Sequence, residues 1–204
     1  RSHTPINNGI NTCHTGLSGF HNNVWDILSQ KDEEVVLKYI EKDGDDGWPG
    51  NLETVLTIRL TDENEIRFEF DATTDKATPC AFTQHSFFNL TTPEENIFDT
   101  ELQINADFFT PVDEHMIPTG EILKVKGTVF DFTEPMKIGK HILDNDDQLI
   151  KGTGYDHNFC LRKEYFGQEV LGARAVSHKS GIAIEMYTNA SGMQLYTGNW
   201  MDGF

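Results

Sequence analysis

The sequence predicts an all-β protein, and three observations support this prediction. Residues 55–60 and 65–70 each alternate apolar and polar side chains, which is typical of strands with one buried face. Turn-forming Gly, Pro, Asn and Asp residues recur at short intervals along the chain. No segment carries a helical stripe of a dozen residues. Many short strands separated by such turns indicate a β-sandwich or a β-barrel.

The clearest strand pair lies in the first half of the chain. The polar residues 62–64 separate the two alternating segments and have the length of a hairpin turn. We therefore expect the segments to pair antiparallel, with one half-buried face. The apolar side chains expected on that face are Leu56, Ile58, Leu60, Ile66, Phe68 and Phe70.

Further elements follow from the same patterns. Residues 35–40 and 181–187 are strand candidates, and residues 135–142 are the best candidate for a short helical turn. Turns are predicted at residues 43–47, 48–50, 118–120 and 152–154. With 204 residues and no internal repeat or Ser/Pro-rich linker, the chain is expected to form one domain.

Composition limits the class of partner and the compartment. Sixteen basic against thirty-three acidic residues give a net charge of -17, which repels nucleic acid and anionic membranes. The three cysteines, Cys13, Cys80 and Cys160, form no C-x-x-C motif and are expected to be reduced, mostly buried thiols of a cytoplasmic protein. No apolar run approaches the ~20 residues of a membrane span. Glycosylation-type tripeptides at Asn89 and Asn189 leave a secreted protein as the alternative.

Several common functional motifs are absent from the sequence. It contains no phosphate-binding G-x-x-x-x-G-K-[ST], no H-E-x-x-H and no G-x-S-x-G. The acidic run from Asp43 has Gly47 and Thr54 where a calcium loop needs oxygen ligands, so it is predicted to be a turn. Gly152-x-Gly154 lacks the third glycine of a dinucleotide-binding loop.

Four polar segments remain as candidates for a functional site. Each also fits a structural interpretation, as a solvated loop, a hydrogen-bonded core histidine, a turn cap or an edge strand. Together they offer neutral donors and acceptors, aromatic rings and no cationic phosphate clamp, which suits an uncharged polyhydroxylated ligand such as a sugar. They are residues 7–16 with His14, 83–90 with His85, 154–159 with Asp156, and 193–200 with Gln194.

At these residues the chain resembles the galactose mutarotases, also called aldose 1-epimerases. The motifs stand in the family's order and approximate spacing. They are NNGINTCHTGLSGFHNNVWD, DGDDGWPGNL, ATPCAFTQHSFFNL, ADFFTPVDEHMIPTGEI with GTVFDFTEP, GYDHNF and MQLYTGNWMDG. The resemblance implies a large antiparallel β-sandwich, the supersandwich of that family. It also implies interconversion of the α and β anomers of free hexoses such as galactose and glucose, without a cofactor.

The resemblance also implies the catalytic acid. In the family, the histidine of the H-S-[YF]-F-N-L motif protonates the ring oxygen, which corresponds to His85 here. Ser86 and Phe87 lie beside it and are expected to contact the substrate. Phe87 stands where relatives usually have tyrosine, so it lacks the hydroxyl of that residue.

Three further sugar contacts carry over from the family's motifs. His14 matches the histidine of the N-x-x-x-H-[GT]-G loop, and Asp156 matches the aspartate of G-[FY]-D-H-N-F. Gln194 matches the ligand-contacting glutamine of the Q-[FL]-Y-T-G-N strand. No metal ligand is implied.

Two family features are not found in the 204 residues. The Asn-Arg pair that contacts the sugar is expected before Arg1, and the glutamate base that precedes Pro-Gln is expected after Phe204. Glu134-Pro135 is not that motif, because it lies far upstream in family order. We therefore expect residues 1–204 to be a single β-sandwich domain that lacks N-terminal and C-terminal segments of a longer protein.

Two other functions are open on this fold. One is a non-catalytic sugar-binding or regulatory protein, which the absence of the base favours. The other is a hexose-phosphate 1-epimerase, which requires arginines around the phosphate. The internal arginines are Arg59, Arg67, Arg162 and Arg174. The first two fall on strand positions that are expected to face solvent.

Overall fold

The computed structural model describes residues 6–92 and 94–201, and most of its regular structure is β-strand. Every strand pairing in the described residues is antiparallel, and the strands form three four-stranded sheets. The all-β prediction is confirmed. The chain divides into two compact units, residues 1–86 and residues 87–204. The single domain expected over residues 1–204 remains a prediction.

The first unit is built on a four-stranded meander in the order β1-β2-β3-β4. Its strands are β1 (Asp26–Gln30), β2 (Glu34–Glu41), β3 (Leu52–Leu60) and β4 (Ile66–Thr74). Short 3₁₀ turns occupy Phe20–Asn22 and Asp45–Gly47. The second of these confirms that the acidic run at Asp43 forms a turn. The strand predicted at residues 35–40 lies within β2.

The predicted hairpin is present as β3 and β4. Leu56 faces Phe70 and Ile58 faces Phe68 across the pair, so the predicted apolar set does share one face. Its burial, however, was predicted wrongly at the outer end, where Leu60 and Ile66 are 56% and 60% exposed. Period-two alternation determines which side chains share a face but does not determine whether a second layer covers that face.

The inner end of the same face is covered by aromatic side chains. Phe82 stacks on Phe70 with ring centroids 5.0 Å apart, and Phe20 contacts Phe82 edge to face at 5.3 Å. Tyr39 and Trp25 extend this cluster, with ring centroids 5.7 Å apart. The cluster fixes the chain segment that follows β4 against the sheet.

The second unit is a sandwich of two sheets, ordered β11-β10-β5-β8 and β12-β9-β6-β7. Its strands are β5 (Glu101–Ile104), β6 (Ala106–Thr110), β7 (Leu123–Lys124), β8 (Met136–Lys137), β9 (Asp156–Leu161), β10 (Val170–Val176), β11 (Ala183–Thr188) and β12 (Gly192–Tyr196). Side chains from both sheets meet in one apolar core. That core includes Leu102, Ile104, Phe109, Phe130, Phe159 and Leu161.

Strand β9 shows how the core positions polar side chains. It alternates strictly, with His157, Phe159 and Leu161 buried and Asp156 and Asn158 on the opposite face, half-buried. Side chains of a strand point alternately to its two faces, so the buried set anchors the strand and presents the polar set on the other side.

The short helical turn predicted within residues 135–142 is present, but the α-helix of this unit lies further along the chain and was not predicted. Residues 135–142 form β8 and a 3₁₀ turn at Ile138–Lys140, while the α-helix α1 covers Asp147–Gly152. Asp146 caps this helix by accepting hydrogen bonds from the backbone N–H groups of Gln148 and Leu149. A six-residue helix is too short to show a periodic stripe, which is why the pattern missed it. The strand predicted from residue 181 begins at Ala183.

The cysteines also differ from expectation. Cys13, Cys80 and Cys160 are free thiols, as predicted, but Cys80 is exposed and the other two are half-buried. Burial nevertheless raises the pKa of the Cys80 and Cys160 thiols. Within the described residues, the structure has no helix that is long and apolar enough to cross a membrane.

Candidate functional site

The sequence-predicted residues fall into two groups, one in each compact unit. His14, His85 and Ser86 belong to the first unit, and Phe87, Asp156 and Gln194 belong to the second. Each group is built by different elements.

The loop that carries His14 is organised by Asn7. The Asn7 amide donates to the backbone carbonyls of Cys13 and Gly16, at 2.9 Å each, and its oxygen accepts from the Cys13 N–H at 2.7 Å. His14 itself has φ 48°, in the left-handed region that non-glycine residues seldom adopt. Such a conformation persists only where the surroundings enforce it, and here the three Asn7 hydrogen bonds do so.

His85 lies three residues beyond Phe82, on the extended segment that the aromatic cluster anchors to the sheet. Its Nε2 is 3.2 Å from Nε2 of His14, and the two rings meet edge on at 70°. A hydrogen bond between these atoms requires one nitrogen to carry a proton and the other to accept it. His85 is exposed, so it is not a packed core histidine.

The two residues that follow His85 are also exposed. Ser86 ends the first unit. Phe87 begins the second, where its half-exposed ring lies 5.6 Å from that of Tyr196. Phe87 is thereby positioned by the strand that also carries Gln194.

Asp156 and Gln194 are joined directly. The Gln194 amide donates to Oδ1 of Asp156 at 2.8 Å. Gln194 and Tyr196 lie on β12, which pairs with β9. Across this pairing, Gln194 faces Asn158 and Tyr196 faces Asp156. The antiparallel register therefore places the carboxylate and the amide diagonally on one face of the sheet.

His157 supports Asp156 from the core side. Its Nδ1 accepts a hydrogen bond from the Asp156 backbone N–H at 3.1 Å, which leaves the proton of the neutral ring on Nε2. His157 is 1% exposed, and this burial lowers its pKa to about 4. Its Nε2 has no hydrogen-bond partner in the described part of the chain, and the ring packs edge to face on Phe130 at 4.7 Å.

A cavity of about 230 Å³ opens beside Asp156 and Gln194. Sequence reasoning missed most of the residues around it. Asn158 had a signal, because it stands two residues after Asp156 and strand alternation places it on the same face. The remaining lining residues come from a distant strand and loop that belong to the motif ADFFTPVDEHMIPTGEI, but nothing in that motif singled them out as ligand contacts: Thr110, Val112, Met116 and Pro118.

The glycine and asparagine motifs around this site are structural. A side chain at Gly154, which has φ 133°, would meet Asn199 Oδ1 at 2.6 Å. The Asn199 amide donates to the backbone carbonyls of Gly152 at 2.8 Å and Tyr155 at 2.9 Å. Asn199 thus closes the turn that leads into Asp156.

Among residues 6–92 and 94–201, the arginines are all engaged in ion pairs and no metal site is assembled. Each arginine in this part of the chain pairs with a carboxylate: Arg59 with Glu34, Arg67 with Glu65, Arg162 with Asp107 and Arg174 with Glu185. The same residues contain no group of three His, Cys, Asp or Glu side chains that could hold a metal ion.

Comparison with known proteins places the chain among sugar epimerases. The family model described as aldose 1-epimerase matches residues 2–204. Galactose mutarotase of Sus scrofa is 41% identical over 201 residues, which cover 97% of this chain and 56% of that protein. Aldose 1-epimerase of Escherichia coli strain K12 is 39% identical over 195 residues, covering 96% and 56%.

A solved structure gives the same result. The crystal structure of galactose 1-epimerase from Lactobacillus acidophilus NCFM matches with a TM-score of 0.82 and 33% identity, covering 96% of this chain and 57% of that one. This chain spans about half the length of the curated relatives that it matches. From the family match and the shared fold, the chain belongs to the aldose 1-epimerase family.

Proposed function

We propose that the complete gene product containing this chain is an isomerase that interconverts the α and β anomers of free hexoses such as galactose and glucose. The observation that carries the proposal is the exposed His85, held 3.2 Å from His14. An exposed imidazole can carry a proton and donate it to a bound substrate, which is the chemistry of a general acid. Membership of the aldose 1-epimerase family supports the same activity.

In the proposed reaction, the C1 hydroxyl loses its proton to a base while His85 protonates the ring oxygen. The C1–O5 bond then breaks and leaves an open-chain aldehyde. Rotation about C1–C2 and closure from the other face give the other anomer, with both protons returned. General acid and general base each contribute typically 10²–10⁴-fold to such a step.

The remaining candidate residues would bind and orient the sugar. His14 and His85 each have one imidazole nitrogen in their mutual contact, and a sugar oxygen could replace the partner nitrogen. Asp156 accepts hydrogen bonds from hydroxyl groups, and Gln194 both donates and accepts. Ser86 and Phe87 are proposed to contact the substrate beside the acid. The family resemblance assigns the base to a glutamate before Pro-Gln, a motif that the 204 residues do not contain.

The charges favour a free sugar over a sugar phosphate. Arginine is the side chain best suited to a phosphate group, because its planar fork can donate two parallel hydrogen bonds to it. Every arginine in the described part of the chain is already paired with a carboxylate. The net charge of -17 also opposes the approach of an anion.

Polarimetry with freshly dissolved α-D-galactose tests the proposal. The complete gene product should accelerate the change of optical rotation well above the spontaneous rate, and glucose 6-phosphate should not be a better substrate than glucose. Calorimetric titration with galactose should accompany the assay. Binding without acceleration would contradict the proposal and support a non-catalytic sugar-binding protein.

A further inference from the structure

A row of three polar side chains crosses the sheet beside the Asp156–Gln194 pair. Gln194 on β12 faces Asn158 on β9, and Asn158 faces Thr110 on β6. Residues directly opposite each other on paired strands share a face of the sheet. All three line the same 230 Å³ cavity, together with Asp156.

Two members of this row have unused hydrogen-bonding capacity. Asn158 and Thr110 are half-buried, and within residues 6–92 and 94–201 neither side chain makes a hydrogen bond to another protein group. An amide offers two donors and an acceptor, and a hydroxyl offers a donor and an acceptor. Polar groups with restricted access to water are costly unless they are paired, so these two are suited to a polar ligand in the cavity.

The Asn158 amide is held in place by close packing. It lies over Gly192 of β12, where an added Cβ would collide with its oxygen and come within 3.1 Å of its Cγ. A glycine at this position therefore leaves the space that the amide occupies.

The other wall of the cavity is apolar and built by one loop. Val112 and Pro118 form a bridge at the base of this loop, and Met116 between them has φ 61°. The Asp113 carboxylate accepts from the backbone N–H groups of His115 at 2.8 Å and Ile117 at 3.0 Å, which holds the strained residue between them. The cavity therefore has a polar row on one side and an apolar wall on the other. A pyranose matches it, because its hydroxyl groups are polar and its carbon–hydrogen faces are apolar.

We propose that Asn158 and Thr110 bind sugar hydroxyl groups next to Asp156 and Gln194 and determine which hexoses this site accepts. This inference rests on the proposed function, because it extends the same sugar site. It assigns to these two residues the contacts that discriminate between sugars that differ at a hydroxyl group.

The test combines side-chain removal with hydroxyl removal. In the complete gene product, Asn158→Ala and Thr110→Val should each lower kcat/KM and affinity for galactose about tenfold, the usual effect of one lost hydrogen bond. For each variant, the loss should shrink to less than about twofold with one particular monodeoxy derivative of galactose, the one that lacks the contacted hydroxyl. Thr110→Ser, which keeps the hydroxyl, should behave as the unaltered protein does.

Cys160→Ala serves as the matched control, because Cys160 lies two residues further along the same face of β9, outside the cavity lining. It should leave kcat/KM unchanged. An equal loss for galactose and every deoxy sugar, or no loss at all, would overturn the proposal. If the unaltered protein binds galactose without accelerating mutarotation, the proposed function fails, and the affinities still decide the role of Asn158 and Thr110. If it binds no sugar, both fail.

Discussion

Nε2 of His14 and Nε2 of His85 lie 3.2 Å apart on two segments that are 71 residues apart in the sequence. The loop of His14 is held by Asn7, and the segment of His85 is held by the stacking of Phe82 on Phe70. The two imidazoles are therefore positioned by independent elements of one compact unit. These supporting contacts are made by Asn7 and Phe82 and not by the histidine rings, so replacing either ring leaves them in place.

Replacing His85 should affect the reaction and leave folding intact. His85→Asn removes the acid and places an amide of similar size at the same position. We expect kcat to fall by at least about 10²-fold while the thermal unfolding temperature is unchanged. Polarimetry and calorimetry measure the two quantities. His178→Asn is the control, because His178 is an exposed histidine beside Glu101 at 3.5 Å. Turnover like that of the unaltered protein would rule out His85 as the acid.

The buried His157 should make the protein less stable in acid. Its folded pKa of about 4 is below the usual 6.5, so the unfolded state binds the proton first as the pH falls. The stability that depends on neutral His157 is present above pH 6.5 and decreases toward pH 4, by roughly 2 kcal/mol at pH 5. Denaturant unfolding of the protein and of His157→Gln at pH 7.5 and pH 5 measures this difference.

The role of His157 is decided by comparing the unaltered protein with His157→Gln, because other groups also titrate between pH 5 and pH 7.5. The loss of stability from pH 7.5 to pH 5 should be smaller in His157→Gln by that roughly 2 kcal/mol. His178→Asn should retain the full pH dependence. Equal pH dependence in all three proteins would show that His157 titrates normally.

Glu41 should have the opposite pH dependence. It is 4% exposed, and burial, together with Asp46 and Asp45, raises its pKa to about 6. The folded state therefore keeps the proton when the unfolded state has lost it, and stability falls as the pH rises from 4.5 through 6. Glu41→Gln should raise the free energy of unfolding by up to about 2 kcal/mol at pH 7.5 and by almost nothing at pH 4.

A control for Glu41 is available on another strand of the same sheet. Glu69 is an exposed carboxylate on β4, and Glu69→Gln should not change stability at either pH by more than about 0.5 kcal/mol. Denaturant unfolding at the two pH values measures both variants. A Glu41→Gln variant that is equally or less stable at pH 7.5 would contradict the raised pKa.

The sequence predicted individual strands better than the relationships between them. Alternation located β3 and β4, because a period of two is intrinsic to the strand, and the short polar turn between them predicted their antiparallel pairing. It could not predict the exposure of Leu60, which depends on what covers the sheet. The family motifs pointed to Asp156 and Gln194, but the position of Thr110 opposite Asn158 depends on the pairing of β6 with β9, which no local pattern encodes.

Metal removal should not affect activity. The proposed chemistry uses an imidazole acid and hydrogen-bonding side chains, and the described residues form no group of three potential ligands. Mutarotation measured after exhaustive chelation should equal that of the untreated protein. Activity that chelation abolished and zinc restored would show that the acid assignment to His85 is wrong.

Substitutions at Met116 should reveal backbone strain in the loop that forms the apolar wall of the cavity. Its φ of 61° is unfavourable for residues with a Cβ and is readily adopted by glycine. Met116→Gly should therefore be more stable than Met116→Ala by about 1 kcal/mol, although glycine is usually the more destabilising substitution. Ile117 provides the comparison, because its φ is not positive. At that position, Ile117→Ala should be more stable than Ile117→Gly. Both Met116 variants lose the same apolar wall and should weaken galactose binding to a similar extent. If Met116→Ala proved as stable as Met116→Gly, the loop would not be holding a strained residue against the cavity.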